Sequence, residues 1–283
     1  MSGTLYIVAT PIGNLEDITF RAVRILKEVA VIACEDTRQT MKLLNRFEFK
    51  KELISYFQPQ EARKIPLILD ILKKGKDVAL VSDSGTPGIS DPGFRLVREA
   101  IREGIKVVPI PGPTAAAAAR CASGLSTHRY LFAGFPPPKK GALRKTLEAL
   151  KEEAATLIFY LPARKTPEFL AAVLETMGER DIVIARELTK IFEEFIRGKT
   201  SELIDSIKSR ILKGEMTILV GAGGVAASPR KSRTPHNDIP SVSSRTERGI
   251  SRLSDTRREI PRKTRDDPSG RIASSLALAR SSQ

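Results

Sequence analysis

The chain is poor in the residues that most often carry a metal or a disulfide. It has two cysteines, Cys34 and Cys121, and two histidines, His128 and His236. Two cysteines define no disulfide framework, and no Cys/His cluster has zinc spacing, so a structural metal is not expected. Cys34 ends the strand-like run 30–34 and reads as a buried thiol. The first residues lack the charged, apolar and small-residue succession of a secretory signal. No apolar run is long enough to span a bilayer, so the cytoplasm is the expected location. There is no Gly-x4-Gly-Lys-Ser/Thr loop and no Gly-x-Ser-x-Gly turn, which removes the usual support for a nucleotide hydrolase. Acidic residues are in the minority: 47 Lys/Arg face 33 Asp/Glu, a formal net charge of +14. That balance points to an anionic partner such as nucleic acid.

The excess is unevenly spread. Residues 224–283 hold 13 Lys/Arg and 6 Asp/Glu, and residues 1–223 hold 34 and 27, so each part nets +7. The last 60 residues contain no Phe, Tyr or Trp and only 9 Leu, Ile or Val. Such a segment buries too little apolar surface to offset its ordering entropy, and we expect 224–283 to be a disordered, basic, Ser/Arg-rich tail. It reads either as an RNA-binding arm or as a structurally neutral extension from readthrough or a frameshift.

What is present is a set of loops. The strand-like run 77–81 opens into Ser82-Asp-Ser-Gly-Thr-Pro-Gly-Ile-Ser-Asp-Pro-Gly93, and a helix-like stretch starts near Phe94. A loop dense in Gly, Pro, Ser and Asp thus sits at the carboxyl end of a buried strand, where open α/β sheets bind ligands. Glycines permit unusual backbone angles and close approach, and prolines add rigidity. The two carboxylates, Asp83 and Asp91, argue against a simple phosphate cradle and suit hydroxyls or a positive centre. Two more loops follow the same plan. The strand 5–9 runs into Thr10-Pro-Ile-Gly-Asn-Leu-Glu-Asp-Ile-Thr19, and 106–110 runs into Pro111-Gly-Pro-Thr114 before an alanine-rich helix. Thr19 and Thr114 read as helix N-caps. Three such units imply one crevice lined by several strand ends.

The pattern predicts strands at 4–9, 30–34, 52–55, 77–81 and 105–110, with helices near 19–28, 37–46, 60–74, 93–103 and 114–121. That alternation is an α/β domain over 1–121 with a mostly parallel sheet. Residues 122–127 read as a linker. A second α/β domain, 128–223, has strands near 130–134, 156–160, 181–185, 192–197 and 216–220 and helices at 141–153, 166–177 and 200–212. The pair 181–185 and 192–197 suggests a hairpin, hence a mixed sheet. A ligand cleft between the two is expected.

The runs Ala9–Asp17, Cys34-Glu-Asp-Thr-Arg38, Ser82–Gly93, Pro111–Thr114, Gly134-Phe-Pro136, Lys139-Lys-Gly141 and Arg186-Glu-Leu-Thr-Lys190 resemble the ribosomal RNA small-subunit methyltransferase I group of the tetrapyrrole methylase superfamily. The resemblance runs to about Gly223, roughly four-fifths of the chain. It implies a two-domain tetrapyrrole-methylase-like fold and S-adenosylmethionine as methyl donor. It also implies 2′-O-methylation of a cytidine ribose in the decoding region of 16S rRNA, the 30S subunit as partner, and a homodimer.

Carried onto this chain, the resemblance places the donor against Pro11, Gly13, Asp83, Ser84, Gly85, Thr86, Ile89, Ser90, Pro113 and Thr114. Leu161, Ala185 and Arg186 complete the pocket from the second domain. Glu35, Asp36 and Glu187 are the candidates for handling the acceptor hydroxyl. Arg38, Lys139, Lys140, Arg186 and Lys190 suit RNA contacts. Each of these charges also has the plain reading of a solvated side chain. Two patches depart from the family pattern. Phe57-Gln-Pro-Gln-Glu61 stands where a His/Glu/His/Asn-like patch is usual, and Tyr160-Leu-Pro-Ala-Arg-Lys165 stands where Tyr-Glu-Ser-Pro-His-Arg is usual. Both bear on the acceptor more than on the donor. The competing readings are a tetrapyrrole-precursor C-methyltransferase and a catalytically impaired RNA-binding homologue.

Overall fold

The computed structural model describes residues 1–223 except Ser209 and Ile211. The expected 224–283 tail therefore lies outside the described residues. Those described fall within one compact unit built on two five-stranded sheets.

The first sheet contains β1 (Thr4–Val8), β2 (Val31–Cys34), β3 (Glu52–Ser55), β4 (Val78–Val81) and β5 (Lys106–Ile110). Their order is β3-β2-β4-β1-β5, and every pairing is parallel. The inner strands β2 and β4 are apolar and buried along their whole length, as a sheet covered on both faces requires. After β5 comes α5 (Ala115–Ser123), and the helices that cover this sheet are α1 (Phe20–Glu28), α2 (Thr37–Arg46), α3 (Glu61–Lys73) and α4 (Phe94–Arg102). Each returns the chain so that all five strands end on one edge, and the three Gly/Pro loops emerge there.

Caps fix the helix starts. Thr19 Oγ1 accepts the Ala22 N–H at 3.0 Å, as its position before α1 predicts. Thr114 occupies the N-cap of α5 but makes no side-chain cap bond. The Ala116 N–H donates instead to Tyr160 Oη at 2.9 Å. The α5 helix ends on Gly124 in the left-handed conformation, so Ala122 and Ser123, expected in a linker, are still helical.

The second sheet contains β6 (Tyr130–Gly134), β7 (Thr156–Pro162), β8 (Asp181–Arg186), β9 (Glu194–Lys199) and β10 (Glu215–Val220), ordered β6-β7-β10-β8-β9. β6 and β7 are parallel and the other pairs antiparallel, with β8–β9 as the expected hairpin. α6 (Lys140–Ala149), α7 (Thr166–Met177) and α8 (Thr200–Lys208) cover one face through a core centred on Phe159, Phe169 and Leu170. The other face packs on α5: Ala116 and Ala119 meet Ile158, Val183, Ala185 and Leu219. The alanines let helix and sheet approach closely, and this contact joins the two sheets. No helix among the described residues is long and apolar enough to cross a membrane.

Candidate functional site

The three loops are laced to one another at the strand ends. Thr10 and Gly85 exchange backbone hydrogen bonds, N–H to O at 2.8 and 3.1 Å. Thr10 Oγ1 donates to the Ser82 carbonyl at 3.0 Å, and Thr86 Oγ1 donates to the Pro113 carbonyl at 3.2 Å. Gly85 takes φ of 87°, a region where a side chain is strained. A fourth tie comes from below. Glu61, buried at the start of α3, accepts from Tyr56 Oη at 3.0 Å and from the Gly93 N–H at 3.2 Å. It thereby holds the far end of the 82–93 loop. Burial and that carboxylate push the Tyr56 hydroxyl well above its usual pKa. So the last residue of the 57–61 departure is an internal anchor with a buried side chain.

Between the laced loops and the edge of the second sheet lies a cavity of about 430 Å³, within the roughly 300–1,000 Å³ typical of small-ligand sites. Ser84, Gly85, Thr86, Ile89, Ser90 and Thr114 line it, as the sequence predicts, and so does Leu161. Ile12, Asp91, Tyr160 and the start of β10, Glu215–Thr217, line it too and were not among the expected residues. β10 reaches the cavity because it lies antiparallel between β7 and β8. Its Met216 and Thr217 pair with Leu161 and Tyr160 on one side and with Arg186 and Ala185 on the other. The amino end of β10 therefore shares an edge with the carboxyl ends of its neighbours. Pairing between residues 55 positions apart leaves no local trace. Asp91 and Tyr160 were legible as residues of the two conspicuous runs, but nothing local says which way they face.

The other expected donor contacts lie off this wall. Asp83 is exposed, and its Oδ1 accepts the Asp36 N–H at 3.0 Å. Its bond ties the loop after β4 to the start of α2. Pro11 is buried, Pro113 contributes its carbonyl to Thr86, and Gly13 lies against Leu188, Thr189 and Lys190. A Cβ on Gly13 would fall 2.6 Å from Lys190 Cγ, so glycine here permits the contact between the loop after β1 and the loop after β8. Ala185 is buried in the α5 contact. Arg186 Nε donates to the Lys213 carbonyl at 3.0 Å, and its guanidinium pairs with Glu194 at 3.5 Å.

The acidic candidates separate by environment. Glu35 follows β2 and neighbours Asp83, Asp91 and Asp36; burial first, then the charges of Asp83 and Asp91, raise its pKa above the usual carboxylate range. Asp36 is the N-cap of α2, with Oδ1 accepting the Arg38 N–H at 2.8 Å. Burial pushes the Glu187 carboxyl up, but the Glu215 N–H and the Lys190 ammonium outweigh it and hold Glu187 below its ordinary value. Burial likewise raises Asp91, offset in part by a bond from Ser82 and reinforced by Asp83.

Of the cationic candidates, Arg38, Lys139 and Lys140 are exposed. Lys190 is engaged internally, with Nζ 3.0 Å from Glu187 and 3.2 Å from Glu215. This loop also carries left-handed backbone at Glu187 (φ 48°) and Thr189 (φ 65°), and Thr189 Oγ1 accepts the Asn14 N–H at 3.0 Å. Its role in the structure is to clasp the two sheets beside the cavity. The arrangement can hold a ligand with a flat apolar part, hydroxyls and a positive centre, next to a carboxylate able to accept a proton.

Comparison with known proteins narrows the reading. Residues 4–204 match the family model of the Tetrapyrrole (Corrin/Porphyrin) Methylases. The chain is 48% identical to a Ribosomal RNA small subunit methyltransferase I of Halalkalibacterium halodurans, over 81% of this chain and 79% of the relative. It is 46% identical to the protein of that name from Thermotoga maritima, over 77% of this chain and 98% of the relative. Among solved structures it resembles the methyltransferase CobJ, with a TM-score of 0.60 and 20% identity over 78% of this chain and 95% of that one. It also resembles a cobalt precorrin-4 methyltransferase, with a TM-score of 0.57 and 18% identity over 77% and 94%. At that identity the likeness is one of fold.

Proposed function

The chain belongs to the tetrapyrrole methylase family and, within it, to the ribosomal RNA small subunit methyltransferase I group; from that premise we propose that it methylates the ribose 2′-oxygen of a cytidine in the decoding region of 16S rRNA. The donor is S-adenosylmethionine, the substrate lies in the small ribosomal subunit, and the place of action is the cytoplasm. The observation that carries this reading is identity of 46–48% along nearly the whole described chain to relatives of that name. The tetrapyrrole-precursor alternative has only the fold in its favour.

The residues present fit the donor. Ile12, Ile89 and Leu161 offer apolar walls, Ser84, Thr86 and Thr114 offer hydroxyls, and Asp91 offers a carboxylate for a positive centre. When bound, the donor supplies an electrophilic methyl group on a positively charged sulfur. The chain's own residues orient the acceptor and take its proton. Glu35 is the base in this reading, because its raised pKa makes it a better proton acceptor than Glu187 or the helix-capping Asp36. A correctly placed base contributes about 10²–10⁴ in rate. Exclusion of water falls to the apolar walls. The division into a donor-loop domain, 1–121, and a domain completing the cleft, 128–223, belongs to this reading, as does a homodimer.

The test is transfer of tritiated methyl from S-adenosylmethionine to 30S subunits lacking the modification, with the labelled nucleotide mapped. Label on a ribose 2′-oxygen of a decoding-region cytidine is the expected result. Label on a tetrapyrrole precursor and none on subunits would move the chain to the alternative.

A further inference from the structure

Beside the donor cavity is a second recess, which nothing above assigns. It has a volume of about 180 Å³ and shares Phe135, Tyr160, Leu161 and Pro162 with the cavity. We propose that this recess, walled by Phe135, the Pro136–Pro138 run, Tyr160 and Arg164, receives one unstacked nucleobase of the RNA next to the nucleotide being methylated. The proposal rests on the RNA methyltransferase reading.

Size, shape and charge argue for it. The volume is below the roughly 300–1,000 Å³ that drug-sized ligands occupy, so the recess suits a single flat group. Phe135 is 64% exposed. Its ring is held in place: it meets Tyr160 edge-on at 5.7 Å, and Tyr160 meets Phe132 at 4.8 Å. Three consecutive prolines form the adjoining wall, with fixed φ and no backbone N–H left to satisfy. The result is a rigid apolar slot with an aromatic at its mouth, which is how proteins hold splayed RNA bases. The rim is cationic. Glu168, the one carboxylate in the lining, is already paired with Lys165 at 2.9 Å. Arg164 in the lining, and Lys139 and Lys140 just after the proline run, are exposed and form no salt bridge among the described residues. An apolar slot rimmed by unmatched cations complements a base flanked by phosphates. Phe135 and Pro136, like Lys139 and Lys140, fall in runs that resemble the family, while Arg164 belongs to the 160–165 run that departs from it.

The experiment measures methyl transfer into 30S subunits and, by calorimetry, binding of S-adenosylmethionine, for the parent, Phe135→Ala, Phe135→Trp and Arg164→Gln. Loss of one base–aromatic stack should raise KM for subunits about 5- to 150-fold in Phe135→Ala. Donor affinity should hold in Arg164→Gln, at a residue outside the donor cavity, and Phe135→Trp should restore KM. Arg164→Gln should also raise KM and lower the slope of log KM against log salt by about 0.7–0.9, one phosphate contact. A parent that methylates subunits while Phe135→Ala keeps the parental KM overturns the base site and leaves the function standing. Equal losses of donor affinity and KM in Arg164→Gln assign the recess to the donor and overturn it too. A parent that binds donor but methylates no subunit removes the function reading, and the base site falls with it.

Discussion

Asp91 lies in the cavity wall with a carboxyl that burial lifts above its ordinary range. Burying a charge costs free energy unless an opposite charge arrives, and a positively charged sulfur is such a charge. Because the pKa is raised in the fold, this group's contribution to stability is full below the unfolded carboxylate value, about 3.9. It fades as pH rises through the raised value. Ligand binding has the opposite sign, since the ionised form attracts the donor. S-adenosylmethionine affinity should therefore rise with pH through the acid range just above the ordinary carboxylate value, then level off towards neutrality. Calorimetry across that range, in buffers of different ionisation heat, should register proton release on binding. Asp91→Asn should flatten the profile and weaken binding at neutral pH by about tenfold or more, the worth of a hydrogen bond to a charged group. A parent profile already flat across the acid range would rule out Asp91 as the partner of the positive centre.

At the scale of elements, the functional unit is the laced set of loops, and the anchor that matters most is outside the cavity. Glu61 accepts from both Tyr56 Oη and the Gly93 N–H. Glu61→Ala should leave both donors buried and unpartnered, at about 1–3 kcal/mol each. The 82–93 loop would lose its fixed end. The expected outcome is a lower Tm together with weaker donor binding, although Glu61 touches no part of the cavity. Glu61→Gln, which keeps an acceptor oxygen, should recover most of both; failure to recover would mean that the charge, paired with Arg95 at 3.7 Å, is what counts. This anchor also shows where the sequence stops being readable. The strands and the Gly/Pro loops were plain, because β-branched runs and turn residues signal locally. The hairpin Asp181–Lys199 was plain for the same reason. Glu61 was not: in Glu61-Ala-Arg-Lys it has the pattern of a solvated helix start, and its burial depends on Tyr56 and on a loop 32 residues away. Asp83 stands in the most conspicuous loop, and its bond from the Asp36 N–H ties that loop to the start of α2. The side on which a loop residue faces is set by tertiary hydrogen bonds, to which composition and spacing are blind.

Across the whole molecule, two sheets with separate cores meet through α5, the Tyr160–Ala116 bond and the Thr189–Asn14 clasp. The donor cavity and the recess beside it lie along that seam. The seam has two electrical characters. Glu35, Asp36, Asp83 and Asp91 gather at the ends of β2 and β4, and Asp91 among them lines the cavity. Lys139, Lys140 and Arg164 sit at the entrance on the second sheet's side, and the chain as a whole carries +14. Donor binding and RNA binding should therefore respond differently to salt. Phosphate contacts release condensed counterions, so log KM for subunits should climb with log salt by about 0.7–0.9 per contact. Three contacts at the entrance alone would weaken binding by about two orders of magnitude for each tenfold rise in salt. Donor binding depends on short-range contacts inside a cavity, where screening by ions is slight, and its affinity should change far less. Steady-state methyl transfer in a KCl series at fixed magnesium, set beside donor calorimetry in the same buffers, separates the two. A KM for subunits as insensitive to salt as the donor affinity would mean that the basic entrance does not carry the RNA, and the phosphate-binding surface would then have to be sought elsewhere on the chain.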